Sequence, residues 1–247
     1  MYMRAGGQTF GAGHASAGVT APATSWFLAE GATGSYFDLF VLIANPSSQD
    51  AQVRATYLLP NGSSVVRSYT VGRQSRFNIW VDNDDPRLAD TAVSTIVEST
   101  NGVPIIVERA MWWPGPTSAS WLEAHNSPGS TVTGTKWALA EGERGGPRAT
   151  QTYVLVANTS SFTGTVKVTL QFEDDGSSAE RTYAIAGRSR YNVAIDSEFP
   201  EATGRRFWTL VESLGTTPAQ LVVERAMYSN SGSTVWAAGT NALATRL

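Results

Sequence analysis

The sequence predicts an all-β chain of tandem β-sandwich domains, and three observations predict it. Two stretches recur: Trp26-Phe27-Leu28-Ala29-Glu30-Gly31 returns as Trp137-Ala138-Leu139-Ala140-Glu141-Gly142, and Ile106-Val107-Glu108-Arg109-Ala110-Met111 returns as Val222-Val223-Glu224-Arg225-Ala226-Met227. Short runs of alternating apolar residues fill both copies, divided by Gly, Pro, Asn and Asp turn signals at spacings of roughly 8 to 12 residues. No segment carries the apolar period of a convincing amphipathic helix. The offset from position 26 to position 137 is 111 residues. The repeat is therefore a whole domain, longer than the roughly 20 to 50 residues of solenoid and propeller units.

This pattern divides the chain into repeat one over residues 26–136 and repeat two over residues 137–247. Residues 1–25 read as the tail of a preceding, truncated repeat. Met1-Tyr2-Met3 aligns with Met111-Trp112-Trp113, Phe10 with Trp121, and His14 precedes Trp26 by the same 12 residues that separate His125 from Trp137. The expectation is a fragment of a longer array that closes at its C-terminal end.

Within repeat one, Phe37, Leu39, Val41 and Ile43 form the apolar face of a central strand that stops at Asn45-Pro46. Ala51 to Leu59 and Ser64 to Val71 follow as a hairpin about the turn Pro60-Asn61-Gly62-Ser63,. Ser75 to Ile79 is the next strand and runs into Asp82. A single helical turn is an option over Leu88 to Thr95. The last predicted hairpin pairs Val93–Ser99 with Pro104–Trp113 across Asn101-Gly102, a type I′ signal,. In that register Glu98 and Arg109 share a face. Repeat two repeats this order, with one residue added at its Glu173-Asp174-Asp175-Gly176 turn, where a loop tolerates it. Seven or eight short strands per copy predict an immunoglobulin-like sandwich, with a barrel as the alternative.

Composition narrows function. With 42% apolar residues in 247, the chain can bury two cores,. A net charge of −3 supplies no basic footprint for nucleic acid,. No run approaches the roughly 18 apolar residues of a membrane helix, so membrane insertion is not expected. Cysteine is absent, which removes disulfides, thiolate metal sites and cysteine nucleophiles together. The only lysines, Lys136 and Lys167, do not occupy equivalent positions. A repeated isopeptide staple is thereby excluded. Richness in Ser, Thr, Gly and Ala with long β runs leans toward an extracellular or cell-surface setting.

Duplication separates scaffold from specialisation. Residues kept in both copies are read as a structural polar network: Glu30 and Glu141, Arg76 and Arg190, Glu98 and Glu212, Glu108 and Glu224, Arg109 and Arg225, together with Asn45 and Asn158. A charged residue on an apolar face needs a partner, and Arg76 or Glu30 is the expected one for Arg109. A carboxylate pair for hydrolysis would use Glu98 or Glu108. Asp82-Asn83-Asp84-Asp85 reads as a capped turn, with calcium as the alternative. No metal or cofactor is expected, and no catalytic residue is assigned. Trp26, Trp137, Trp121 and Trp236 recur and are expected in the core. Trp80, Trp113 and Trp208 are copy-specific, facing Ala194, Ser229 and Ser94 in the other copy. They are the candidate anchors for a protein or glycan partner.

The Trp-x-Leu-Ala-Glu-Gly opening, the Ile-Ala-Asn-Pro strand end and the Val-Glu-Arg-Ala-Met strand together resemble an uncharacterised tandem β-sandwich repeat of large bacterial surface or secreted proteins. The resemblance implies a surface setting and carries over no catalytic residues. Thr240 stands where the first copy has His125, and Ala157-Asn158-Thr159 where it has Ala44-Asn45-Pro46. The expected function is a non-catalytic structural or adhesive repeat segment, partnered by further repeats of its parent chain and open to self-assembly. The alternative is a carbohydrate- or protein-binding module.

Overall fold

The computed structural model describes residues 2–5 and 7–247, with side chains described for residues 7, 9 and 11–247. Met1 and the side chain of Phe10, which the repeat aligns with Met111 and Trp121, lie outside the described residues. The chain is all-β and divides into two compact units, Met1–Val132 and Thr133–Leu247.

Unit 1 contains β1 (Tyr2–Ala5), β2 (Gln8–Gly13), β3 (Ser25–Leu28), β4 (Asp38–Asn45), β5 (Ala51–Leu58), β6 (Ser64–Val71), β7 (Ser75–Trp80), β8 (Ser94–Ser99), β9 (Ile106–Trp113) and β10 (Glu123–Pro128). Apart from the β1-β2 hairpin, these strands form two four-stranded antiparallel sheets, ordered β3-β8-β5-β6 and β10-β9-β4-β7. Both inner faces feed one core that includes Trp26, Val41, Ile43, Val53, Tyr57 and Val107. Unit 2 contains β11 (Lys136–Leu139), β12 (Gln151–Asn158), β13 (Gly164–Phe172), β14 (Ser178–Ile185), β15 (Ser189–Ala194), β16 (Phe207–Leu214), β17 (Leu221–Ser231), β18 (Thr234–Leu243) and β19 (Thr245–Arg246), with one short helix α1 (Ile195–Glu198). Its sheets run β14-β13-β16-β11-β19 and β15-β12-β17-β18. Strand for strand this is the topology of unit 1, with β19 added at one edge.

Local chemistry explains several boundaries. Strand β4 ends at Asn45, whose buried side-chain amide donates to the carbonyls of Gln49, Val71 and Gly72 at 2.8, 3.0 and 3.1 Å and whose Oδ1 accepts from Ser47 N at 3.0 Å. Asn158 does the same at the end of β12, donating to Phe162, Ile185 and Ala186 and accepting from Ser160. Each clasp ties the strand's exit to the hairpin beside it. Three carbonyls sharing two amide hydrogens require one bifurcated bond. The glycine that closes the Trp-x-Leu-Ala-Glu-Gly motif is equally constrained, because a Cβ on Gly31 would lie 2.5 Å from the carbonyl oxygen of Val93. At Gly142 the obstacle is the ring of Phe207.

The predicted β8-β9 hairpin does not form. Strand β8 pairs with β3 and β5, whereas β9 pairs with β4 and β10. Each is a central strand with both edges occupied, so residues 100–105 cross between sheets. Asn101 spends its amide on that crossing: its Oδ1 accepts from Gln52 N at 3.0 Å and its Nδ2 donates to Asp50 O at 2.9 Å. Thr100 N also bonds Gln52 O at 2.7 Å. The loop is sewn to β5 instead of folding back on β8. Glu98 and Arg109 accordingly lie in different sheets.

The β1-β2 hairpin shares its register with the later ones. Tyr2 faces Gly13 and Met3 faces Ala12, as Trp112 faces Ala124 and Trp113 faces Glu123. Tyr228 and Ser229 face Gly239 and Ala238 in the same way.

Candidate functional site

Period-two alternation sends the residues of β9 to two environments. Val107, Arg109, Met111 and Trp113 point inward and are buried. Glu108, Ala110 and Trp112 line a groove on the outer face of the β10-β9-β4-β7 sheet.

The inward set builds a buried ionic centre. Arg109 Nη2 lies 2.6 Å from Glu30 Oε2, and the two side chains are 1% and 4% exposed. Arg109 Nη1 lies 3.3 Å from Nδ1 of His125, which is 0% exposed. A guanidinium can only donate, so Nδ1 accepts and the imidazole proton resides on Nε2. Nε2 faces Glu30 Oε1 at 3.6 Å. Burial, then the Arg109 charge and His14, hold the His125 pKa well below its ordinary value. The ring is neutral at physiological pH. Trp113 packs against it with centroids 5.2 Å apart, and His14 lies 6.0 Å away. Glu30 thus supplies the partner expected for Arg109, and Arg76 does not. Trp113 is 1% exposed, which corrects its reading as a surface anchor. The indole is needed inside, where it covers an ion pair.

Unit 2 keeps the ion pair and loses its cover. Arg225 Nη1 pairs with Glu141, whose side chain is 68% exposed. Ser229 and Thr240 stand in place of Trp113 and His125. One cavity of about 590 Å³ lies beside Glu141, Phe207, Trp208 and Met227, and another of about 270 Å³ lies beside Met227 and the two positions that lack the rings, Ser229 and Thr240.

The outward set gives unit 1 a groove of about 380 Å³ lined by Phe40, Leu42, Arg76, Glu108, Trp112 and Trp121 among others. Trp112 stacks on Trp121 with centroids 4.8 Å apart and planes at 27°. Phe40 meets Trp121 edge-on at 5.9 Å and stacks with Trp80 at 5.4 Å. Trp80 is 39% exposed. Arg76 is exposed and Glu108 half-buried, and among the described residues neither has an ion-pair partner. Trp26 and Trp137 are core residues as expected. Trp121 and Trp236 instead sit half-buried on outer sheet faces.

Unit 2 carries the same aromatic arrangement, with Tyr228 stacked on Trp236 at 4.8 Å and 27°. Here the polar members are buried: Arg190 is 2% exposed, Glu224 0% and Asn241 7%. Asn241 Nδ2 donates to Glu224 Oε2 at 2.8 Å.

The remaining candidates lie elsewhere. Glu98 pairs with Arg54 at 2.9 Å, and its counterpart Glu212 with Lys136 and Lys167 at 3.0 and 3.3 Å. Those lysines, Lys136 foremost, lower the Glu212 carboxyl pKa. Trp208, 42% exposed, belongs to unit 2 and lines the cavity beside Glu141. The aspartate run serves structure. Asp82 accepts from Gly34 N and Leu39 N at 3.2 and 2.9 Å, and burial pushes its carboxyl up to about 6. Asp85 accepts from Arg87 N at 2.9 Å and pairs with Arg87 and Arg67. What sequence reasoning missed is the groove itself, although Trp112, Trp121 and Phe40 recur as Tyr228, Trp236 and Tyr153.

No family model matches the chain, and no curated protein does. Among solved structures, it is similar to Thermotoga maritima 1070 at 16% identity, over 44% of this chain and 94% of that one, with a TM-score of 0.38. It is also similar to the Anabaena sensory rhodopsin transducer at 26% identity, over 37% of this chain and 99% of that one, with a TM-score of 0.32. Scores this low leave any functional reading to the chain's own residues.

Proposed function

We propose that the chain is a non-catalytic structural or adhesive segment of a bacterial surface, filament or secreted protein, built from tandem immunoglobulin-like β-sandwich repeats. The observation that carries this reading is the use made of the duplicated charged residues. Glu30 is spent on Arg109, Glu141 on Arg225, and Glu98 and Glu212 on the cations of neighbouring strands. Such pairs specify packing and leave little free for chemistry. Two units of one topology, each with its own core, suit a spacer assembled by repetition. Further repeats of the parent chain are the natural partners.

An antibody raised against the chain tests the reading on intact cells and culture medium of the source organism. Labelling of the cell surface or of secreted material is the expected result. Labelling confined to permeabilised cells overturns it. So does turnover of a glycoside panel that Glu108→Gln abolishes at unchanged thermal stability.

A second reading, carbohydrate binding, is favoured by one observation. Trp80 is partly exposed above Phe40 and beside a groove that also holds Arg76 and Glu108. Ring planes next to planar polar groups suit a sugar.

A further inference from the structure

We infer that the outer face of the β10-β9-β4-β7 sheet is a docking surface for a second copy of this chain, joined face to face about a two-fold axis running along β4. The inference rests on the structural reading above and adds the surface through which copies associate.

Two independent observations carry it. The first is the contrast between equivalent faces. Leu155, Arg190, Glu224 and Tyr228 are 3%, 2%, 0% and 4% exposed in unit 2, whereas Leu42, Glu108 and Trp112 are half-buried and Arg76 exposed in unit 1. Three of the four side chains are identical at these register positions, with Tyr228 in place of Trp112, and in unit 2 all four are buried. A face composed this way is suited to a cover, and in unit 1 it stands open.

The second observation is charge placement. Arg76 lies on β7 and Glu108 on β9, on opposite sides of β4, opposite Ala44 and Leu42 respectively. Among the in-plane two-fold axes that face-to-face stacking admits, those along β4 and across it are the two limiting cases. An axis across the strands sets Arg76 against its own symmetry mate, and Glu108 likewise. With the axis along β4, each Arg76 lies over the other copy's β9, two residues along the strand from its Glu108 and within the span of the two long side chains, twice per interface,. Opposite charges therefore select one isologous arrangement and penalise the other. Phe40, Leu42, Trp112 and Trp121 supply its apolar centre, and the charged pairs its rim.

The face is small. Two strands of eight residues and two of six, at about 3.4 Å per residue and about 4.8 Å between strands, cover roughly 450 Å² per copy. The total of roughly 900 Å² falls just under the roughly 1,000 Å² that a specific, stable interface buries. A weak, reversible dimer is the expected species, one that a tandem array would strengthen through effective concentration.

Sedimentation equilibrium of the whole chain from micromolar to millimolar concentration tests this. The wild type is expected to dimerise, and Arg76→Glu and Glu108→Arg each to weaken the dimer by roughly tenfold or more. The double exchange R76E/E108R restores it, because only the signs have swapped. Unchanged thermal midpoints of all three variants certify their folds, and a variant that loses its midpoint is replaced by Arg76→Gln or Glu108→Gln. A monomer throughout overturns the proposal, as does a dimer indifferent to both single reversals or a double exchange that fails to restore association. Binding on a glycan array that Trp112→Ala removes, in a chain that stays monomeric, assigns the face to sugar instead. A monomeric chain that still labels the cell surface would defeat the docking proposal alone. A dimer confined to the cell interior would defeat the structural reading alone.

Discussion

The indole N–H of Trp121 donates to the carboxylate of Asp38 at 2.5 Å, and the equivalent Trp236 donates to Gln151 at 2.9 Å. An acid and an amide thus do the same work at the same position. Each pins a tryptophan over the aromatic residue of the neighbouring strand, Trp112 or Tyr228, so the outer rings are held in place before any partner arrives.

Removing that acceptor should release the ring. Asp38→Ala is expected to abolish the exciton couplet that stacked Trp112 and Trp121 contribute to the far-ultraviolet circular dichroism. Asp38→Gln, the residue unit 2 uses, should retain it. A couplet that survives in Asp38→Ala would mean stacking alone positions Trp121.

The two ion pairs should differ in cost. Glu30→Ala strands a buried guanidinium and is expected to destabilise by about 3–5 kcal/mol. Glu141→Ala removes a carboxylate that is 68% exposed, and the buried Arg225 keeps its bond to the backbone carbonyl of residue 141, so the expected cost is smaller, about 1–2 kcal/mol. Denaturant unfolding of the two variants checks the order, and equal losses would refute the role given to Trp113 and His125 as cover.

His125 makes stability depend on pH. Its folded-state pKa is lowered from the ordinary value of 6.5, so below that pH the unfolded chain takes up a proton that the folded chain refuses. Stability contributed by the neutral ring is present above 6.5 and falls with decreasing pH, at up to about 1.4 kcal/mol per unit, until the folded-state value is reached. His125→Gln should flatten that slope. An NMR titration in which the folded ring protonates near its ordinary value would contradict it.

Asn45→Asp replaces a donor with an acceptor in front of three carbonyl oxygens. The expected loss is about 3 kcal/mol or more at neutral pH, exceeding that of Asn45→Ala, because a buried carboxylate there repels every neighbour it was meant to bind. Asn158→Asp should behave alike. Calorimetry of the four variants decides.

Much of the fold was legible locally. The alternation over Phe37 to Ile43 located β4, Asn61-Gly62 located the β5-β6 hairpin, and the helical turn expected after position 88 occurs just earlier, at Pro86–Leu88. Asn101-Gly102 misled because a turn signal is local while strand partnership is not. Both edges of β8 are taken by β3 and β5, and those of β9 by the distant β4 and by β10, which follows it. Trp113 misled for a related reason. Its difference from Ser229 was read as specialisation of a surface, yet position 125 changes with it, His in one copy and Thr at position 240 in the other. Two substitutions in contact describe a repacked interior. The groove was illegible because Trp112 and Trp121 meet only once β9 and β10 are paired in register.

The way each unit closes bears on how it would carry load. Phe27 on the first main strand of unit 1 bridges Ser130 near that unit's end, and Trp137 pairs with Arg246 in unit 2. Both pairings are antiparallel, which sets the entry and exit of each unit side by side at one end of a short ladder. Tension applied through the backbone would peel those hydrogen bonds apart one after another instead of shearing them together. Each unit would therefore open from its own termini at low force, with its core parting last.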